Sequence, residues 1–284
     1  MENIDHYLIN KIFTVSYMDS LIGEVRVPNS FLCCVERFIK EGDTIGNVIS
    51  KIYKYMDFSY RNEYFYKNTI LNKLLIEKHD LYSTSALTEL PIGESKADFA
   101  IINGKGVIYE IKTDLDNLQR LSSQLSDYYK VFSYVYVVVG KKQVETVKAL
   151  LDKTKVGIYE LVSNGNLICR KKALCDRTHL SYEAMFGALR KQEFESIILS
   201  HYGSLPQTND FNYYRECRAK FAGINLLTLQ KMVMECLKRR TLIVINNPDI
   251  ADIPYELRFY AYFSKKQQGI VNQIKGLCDI KIGG

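Results

Sequence analysis

The chain has 284 residues, 47% of them hydrophobic and 25% charged, enough for a substantial core in one large domain or two modest ones. Lysine and arginine number 38 against 32 acidic residues, a formal charge of +6, a mild excess that suits phosphate-bearing partners without requiring them. Seven cysteines with no C-x-x-C pair argue against zinc and read as reduced thiols. No apolar run approaches the ~20 residues of a membrane span, and no signal peptide is recognisable, so a cytoplasmic protein without a membrane partner is expected.

Residues 1–58 read as small helices and turns. Apolar positions recur at three and four from Phe31 to Phe38 and from Ile45 to Met56, and Asp43 or Thr44 is placed to cap the second of these helices. A broad apolar helical face follows from Glu63 to Lys78. The pattern then changes to short strands: SALTELPI, KADFAII after Gly93-Glu94-Ser95, and the β-branched GVIYEIKT after the hairpin signal Asn103-Gly104. A helix from about Asp116 to Lys130, capped by Asp114 or Asp116, leads to YVYVVVG, whose continuous apolar run marks a buried central strand. A short helix near 142–151 and the strand VGIYEL complete the series. The basic stretch Arg170-Lys171-Lys172 reads as a boundary. Residues 181–240 are expected to be mainly helical, followed by a strand at TLIVINN and one last helix from Glu256 to Cys278. This order predicts an α/β fold: a mixed central sheet flanked by helices, with helical N-terminal and C-terminal regions. The expected division is 1–58, 59–168 and 175–284.

One constellation carries chemistry. Asp98 sits early on one strand, and Glu110 and Lys112 lie two apart on the next, so their side chains share one side of the sheet. A hairpin at Asn103-Gly104 would bring the carboxylates of Asp98 and Glu110 together. Two carboxylates suit a hard divalent cation, and a lysine beside it can orient water at a phosphoryl group. E-x-K on a strand can equally be a surface ion pair worth ~0–1 kcal/mol. Inside an apolar strand, however, such charges cost desolvation unless they are paired or bind metal. Arg120, Gln124 and Tyr128 follow at steps of four on one helix face. Arg170–Lys172, Lys191, Arg215, Arg218 and Lys220 could line a phosphate groove. The stretch NDFNYYRECRAK mixes aromatic and basic residues, suited either to nucleic-acid contact or to a packed helix.

The segment ADFAIINGKGVIYEIK resembles the PD-(D/E)xK nuclease superfamily, which has a restriction-endonuclease-like core, over about residues 60–165. Ala97 stands where that pattern carries proline. The resemblance implies metal ligation by Asp98 and Glu110, a catalytic Lys112, and supporting roles for Gln124 and Tyr128. Glu63 and Glu89 compete as a further acidic ligand. The expected function is therefore a Mg²⁺- or Mn²⁺-dependent nuclease acting on DNA; by family analogy alone, a separate reading makes the chain a component of a defence or mobile-element system, with its terminal regions choosing the target. The alternative is a catalytically inactive protein of the same fold that binds nucleic acid or a protein partner. A homodimer is a further expectation.

Overall fold

A computed structural model describes residues 6–24, 26–241, 247–266 and 268–282. The chain divides into two compact units: Met1–Tyr82 with Val162–Leu167 and Ile243–Gly284, and Ser83–Leu161 with Ile168–Leu242.

The second unit is built on an open sheet with strand order β1-β2-β3-β4-β5-β6. The strands are β1 (Ser85–Ile92), β2 (Ser95–Asn103), β3 (Lys105–Lys112), β4 (Tyr134–Gly140), β5 (Gly157–Leu161) and β6 (Leu167–Lys171). β1, β2 and β3 are antiparallel neighbours, because turns of one or two residues join them. Gly93 and Gly104 supply the left-handed turn positions, with φ of +60° and +66°. β3, β4 and β5 are parallel, which requires a crossover between each pair. The helices Leu121–Tyr129 and Val144–Leu151 provide them. The mixed α/β sheet inferred from the sequence is thus the observed fold.

One face of the sheet carries Ala100, Ile102, Ile108, Val135, Val137, Val139 and Ile158 into a continuous core. The crossover helices and four later ones, Tyr182–Gly187, Lys191–Tyr202, Asp210–Ala222 and Leu226–Lys238, pack into this core through residues such as Leu125, Phe186, Ile198 and Val233. The approach is close at Gly106, where an added Cβ would stand 2.4 Å from Met234 Sδ and 2.5 Å from the Phe132 ring. Any side chain there would overpack the core.

The first unit is helical. Thr44 caps the helix Ile45–Ser59 by accepting from the Asn47 amide, with the Asn47 side chain returning to Thr44. Asn62 caps Glu63–Ile70 by accepting from the Phe65 amide. That helix continues as a π-helical turn, Leu71–Ile76. Inside it, Asn68 donates to the Tyr53 hydroxyl at 2.8 Å and to the Tyr255 carbonyl at 3.0 Å.

Several elements differ from the sequence reading. The helix expected from Asp116 begins at Leu121, because the Asp116 carboxylate turns back onto the amide and hydroxyl of Thr113 and closes a local turn in place of a cap. The basic stretch after 167, read from the sequence as a boundary, contributes Arg170 and Lys171 to β6. The last helix is two, Arg258–Phe263 and Ile270–Asp279, parted at Ser264 and at Gly269 with φ +73°. Of the strand expected at TLIVINN, residues 241–247, the central five, 242–246, lie outside those described.

Candidate functional site

Alternation along β3 turns Glu110 and Lys112 to the same face as Ile108, toward the helix Leu121–Tyr129. Glu110 is completely buried, a position that a carboxylate tolerates only with its oxygens satisfied. Both have partners. Oε1 accepts from Lys112 Nζ at 2.8 Å and Oε2 from the Tyr128 hydroxyl at 2.6 Å. Lys112 Nζ also donates to Gln124 Oε1 at 2.9 Å. The Tyr128 oxygen lies 3.0 Å from the Lys96 carbonyl as well, but its single proton goes to the nearer, charged acceptor. Burial, and then the Glu110 charge, push the Tyr128 phenol far above its ordinary pKa, so it is a fixed donor. Four of the expected site residues, Glu110, Lys112, Gln124 and Tyr128, therefore form one chain of hydrogen bonds. Arg120 does not join it and lies exposed at the helix N-cap.

Asp98 has a different setting. It is only partly buried, and its Oδ2 accepts from the Ile111 amide at 2.7 Å. Its cross-strand neighbour is Glu89, bracketed by the pairs Thr88↔Phe99 and Leu90↔Ala97. Glu89 has φ +55°, the left-handed region that costs an L-residue ~1–2 kcal/mol. Oxygens of Glu89 and Asp98 lie within 4.8 Å of each other, and Lys96 Nζ stands 2.9 Å from Glu89. This pair offers oxygen ligands that could hold a divalent cation. Glu110 is not part of it, since its oxygens face the lysine and the tyrosine. Glu63 belongs to the first unit, where it opens its helix and pairs with Lys67 at 2.5 Å.

The basic residues sort by what they touch. Arg170 pairs with the buried Glu160 at 2.6 Å. Lys171 Nζ donates to the carbonyls of Leu151, Asp152 and Thr154, capping the end of the helix Val144–Leu151. Arg240 grips Glu193 through both carboxylate oxygens. These three are structural. Arg215 and Arg218 are different: their contacts, 3.4 Å to Glu216 and 3.9 Å to Glu183, are long and solvent-facing, and such pairs are worth ~0–1 kcal/mol. Both lie on the helix Asp210–Ala222 with Phe211 and Tyr214, spaced three and four apart on its outer face. Tyr214 is anchored edge-on against Phe186 and Phe194, whereas Phe211 is 91% exposed. The sequence allows Phe211 either to pack or to stack; it does not pack.

Among the described residues no helix is long and apolar enough to cross a membrane.

A family model described as Bacteriophage P4 protein cII matches residues 56–242, about two thirds of the chain. Protein cII of Enterobacteria phage P4 is 29% identical over 173 residues, covering 58% of this chain and 63% of that protein. The chain thus spans somewhat less than two thirds of that relative's length. Among solved structures, SfsA of Pyrococcus furiosus in complex with Ca²⁺ aligns over 45% of this chain and 62% of its own at 17% identity, with a TM-score of 0.23, too low to bear on fold or chemistry.

The matched family corrects the expectation of a metal-dependent nuclease, and with it the hydrolase and restriction-enzyme reading: the family matched is that of Bacteriophage P4 protein cII. The physical source of the error is the E-x-K pattern. Its desolvation cost can be met by metal or by hydrogen bonds, and here Lys112 and Tyr128 each donate to one oxygen of the buried carboxylate, while Gln124 accepts from Lys112.

Proposed function

The chain belongs to the Bacteriophage P4 protein cII family, and we propose that it binds DNA without hydrolysing it. The observation that carries the reading is the outer face of the helix Asp210–Ala222. Single exposed apolar residues are ordinary. Here a 91% exposed phenylalanine shares a face with two arginines held only by long, solvent-facing pairs. Guanidinium groups in that state can exchange a weak carboxylate contact for phosphate. The ring beside them can lie on a base or sugar. The net charge of +6 favours the encounter.

In this reading the core keeps the PD-(D/E)xK arrangement of hairpin, parallel strand and crossover helix. Its polar residues act as a brace that fixes the helix Leu121–Tyr129 on the sheet. The Glu89–Asp98 pair takes Mg²⁺ or Mn²⁺ as a structural ion that relieves the repulsion between the two carboxylates.

The test is fluorescence anisotropy with a labelled 20-base-pair duplex across a salt series. Arg215→Gln/Arg218→Gln should weaken binding and reduce the slope of log K against log salt by about 1.8, at about 0.9 for each phosphate no longer neutralised. Phe211→Ala should weaken binding with the slope unchanged. The duplex should be recovered intact. A slope identical in wild type and the double variant would remove this face from the interface.

A further inference from the structure

The first unit contains a pocket outside the features described so far. Its empty volume is about 520 Å³, a figure that includes open solvent at the mouth, so a ligand seated there stays partly exposed. Tyr53, Phe65 and Tyr255 form its aromatic walls. The Tyr53 ring centroid lies 4.9 Å from that of Phe65 and 6.1 Å from that of Tyr255. The walls are held in place by Asn68, which bonds both the Tyr53 hydroxyl and the Tyr255 carbonyl and accepts from the Phe259 amide. Rings fixed by a buried amide keep their positions in the absence of a ligand, so little ordering remains to oppose binding.

The charges at the rim are unequal. Asp57 lines the pocket, but its carboxylate is held by Arg61 at 2.7 Å. Lys73 is paired with Glu77 at 2.6 Å. Lys54 is exposed and makes no ion pair among the described residues. One helical turn beyond it, Phe58 is 83% exposed at the same mouth. Asn164, left-handed with φ 70° and ψ 23°, adds a side-chain amide that can donate and accept at the rim. Aromatic walls, an amide and one unpaired ammonium match a flat, hydrogen-bonding ring that carries an anionic group.

We infer that this pocket binds a nucleotide, with the base against the exposed Phe58 and the partly exposed Tyr255, over a floor of buried Tyr53 and Phe65, and the phosphate on Lys54. The same chemistry is offered by a free nucleotide and by one residue of a single strand. The site shares no residue with the helix Asp210–Ala222, so it can fail while the DNA-binding proposal stands, and the reverse.

Isothermal titration calorimetry on the full chain tests it, in the Arg215→Gln/Arg218→Gln background so that the helix face does not contribute. The probes are adenosine 5′-monophosphate, adenosine, inorganic phosphate and a 12-nucleotide oligo(dA). Adenosine monophosphate should bind more tightly than adenosine or phosphate. Lys54→Gln should weaken the monophosphate about tenfold, the equivalent of about 1.4 kcal/mol, and leave adenosine unchanged. Phe58→Ala should weaken both nucleoside probes. Both substitutions are at exposed positions, and an unchanged melting temperature verifies the fold. Tighter binding of the oligonucleotide identifies a strand as the source of the ligand; equal or weaker binding identifies a free nucleotide. No heat with monophosphate or oligonucleotide at millimolar concentration, or affinities that neither variant alters, overturns the assignment.

Discussion

Tyr128→Phe removes one oxygen from a side chain that is completely buried. The ring and its packing against the sheet stay, so the cavity is small and the cost is polar. What disappears is the 2.6 Å donor to Glu110 Oε2. That oxygen cannot turn to water, because Glu110 is 0% exposed. Its other partner, Lys112 Nζ, is shared between Oε1 and Gln124. Hydrogen bonds to charged groups contribute about 1.5–3 kcal/mol, so a loss of about 2 kcal/mol is expected, a large part of a typical 5–15 kcal/mol stability. In urea this appears as a midpoint about 1 M lower if the slope is about 2 kcal/mol/M. The chain has two compact units; if they melt separately, only the transition of the sheet unit should move. Glu110→Gln supplies the control. With a neutral acceptor at 110, Tyr128→Phe should cost about 1 kcal/mol less, a coupling within the range for residues in contact. A cost below about 0.5 kcal/mol in the wild type, or an equal cost in both backgrounds, would refute the brace and leave the buried glutamate unexplained.

Three further outcomes follow from the same structure. Arg240 and Glu193 are mostly buried and doubly bonded; burial opposes the Glu193 charge, but Arg240 and the Arg190 amide outweigh it and hold the pKa below its ordinary 4.5. A depressed carboxylate stabilises the fold above its unfolded value and loses that contribution as pH falls through the folded one. Glu193→Gln should therefore cost about 3–5 kcal/mol at pH 7, and the gap to wild type should narrow below about pH 4.5; a gap constant with pH would contradict the assignment. Glu89 has φ +55°, so Glu89→Gly should leave the protein more stable than Glu89→Val by about 1 kcal/mol or more, the reverse of the order at ordinary strand positions, as read by thermal melts of the two variants. Mn²⁺ should raise the melting temperature of the wild type through mass action on the folded state, and Asp98→Asn or Glu89→Gln should abolish the rise; an undiminished rise in both would place the cation elsewhere.

The sheet was legible because its signals are local. Gly93 and Gly104 mark the two tight turns, and YVYVVVG is central because it lacks alternation, as its buried pattern confirms. The Thr44 cap could be read from a hydroxyl placed three residues before Asn47. What escaped depends on competition between equally local choices. Asp116 can cap a helix or close a turn on Thr113, and only the fold selects the turn. LICRK, with its exposed and basic residues, has no apolar periodicity, and becomes a strand because β5 offers it a free edge.

The site was legible as a set of residues and not as a role. Steps of two along a strand and four along a helix are enough to bring Glu110, Lys112, Gln124 and Tyr128 together. Those steps do not say how many donors reach each oxygen, and that number separates a ligand kept available for an ion from a carboxylate locked into the fold. Glu110 has a donor on each oxygen and no exposure. Glu89 and Asp98 stand a few ångströms apart and closer to solvent, two like charges that disfavour each other, with Lys96 beside Glu89. The acidic residues of the motif therefore divide between a buried brace at Glu110 and the more open pair Glu89 and Asp98, to which the proposal assigns the cation. The outward-facing arginines of another helix, in a stretch whose sequence fitted packing as well as contact, hold only long, solvent-facing ion pairs and therefore carry the DNA-binding proposal.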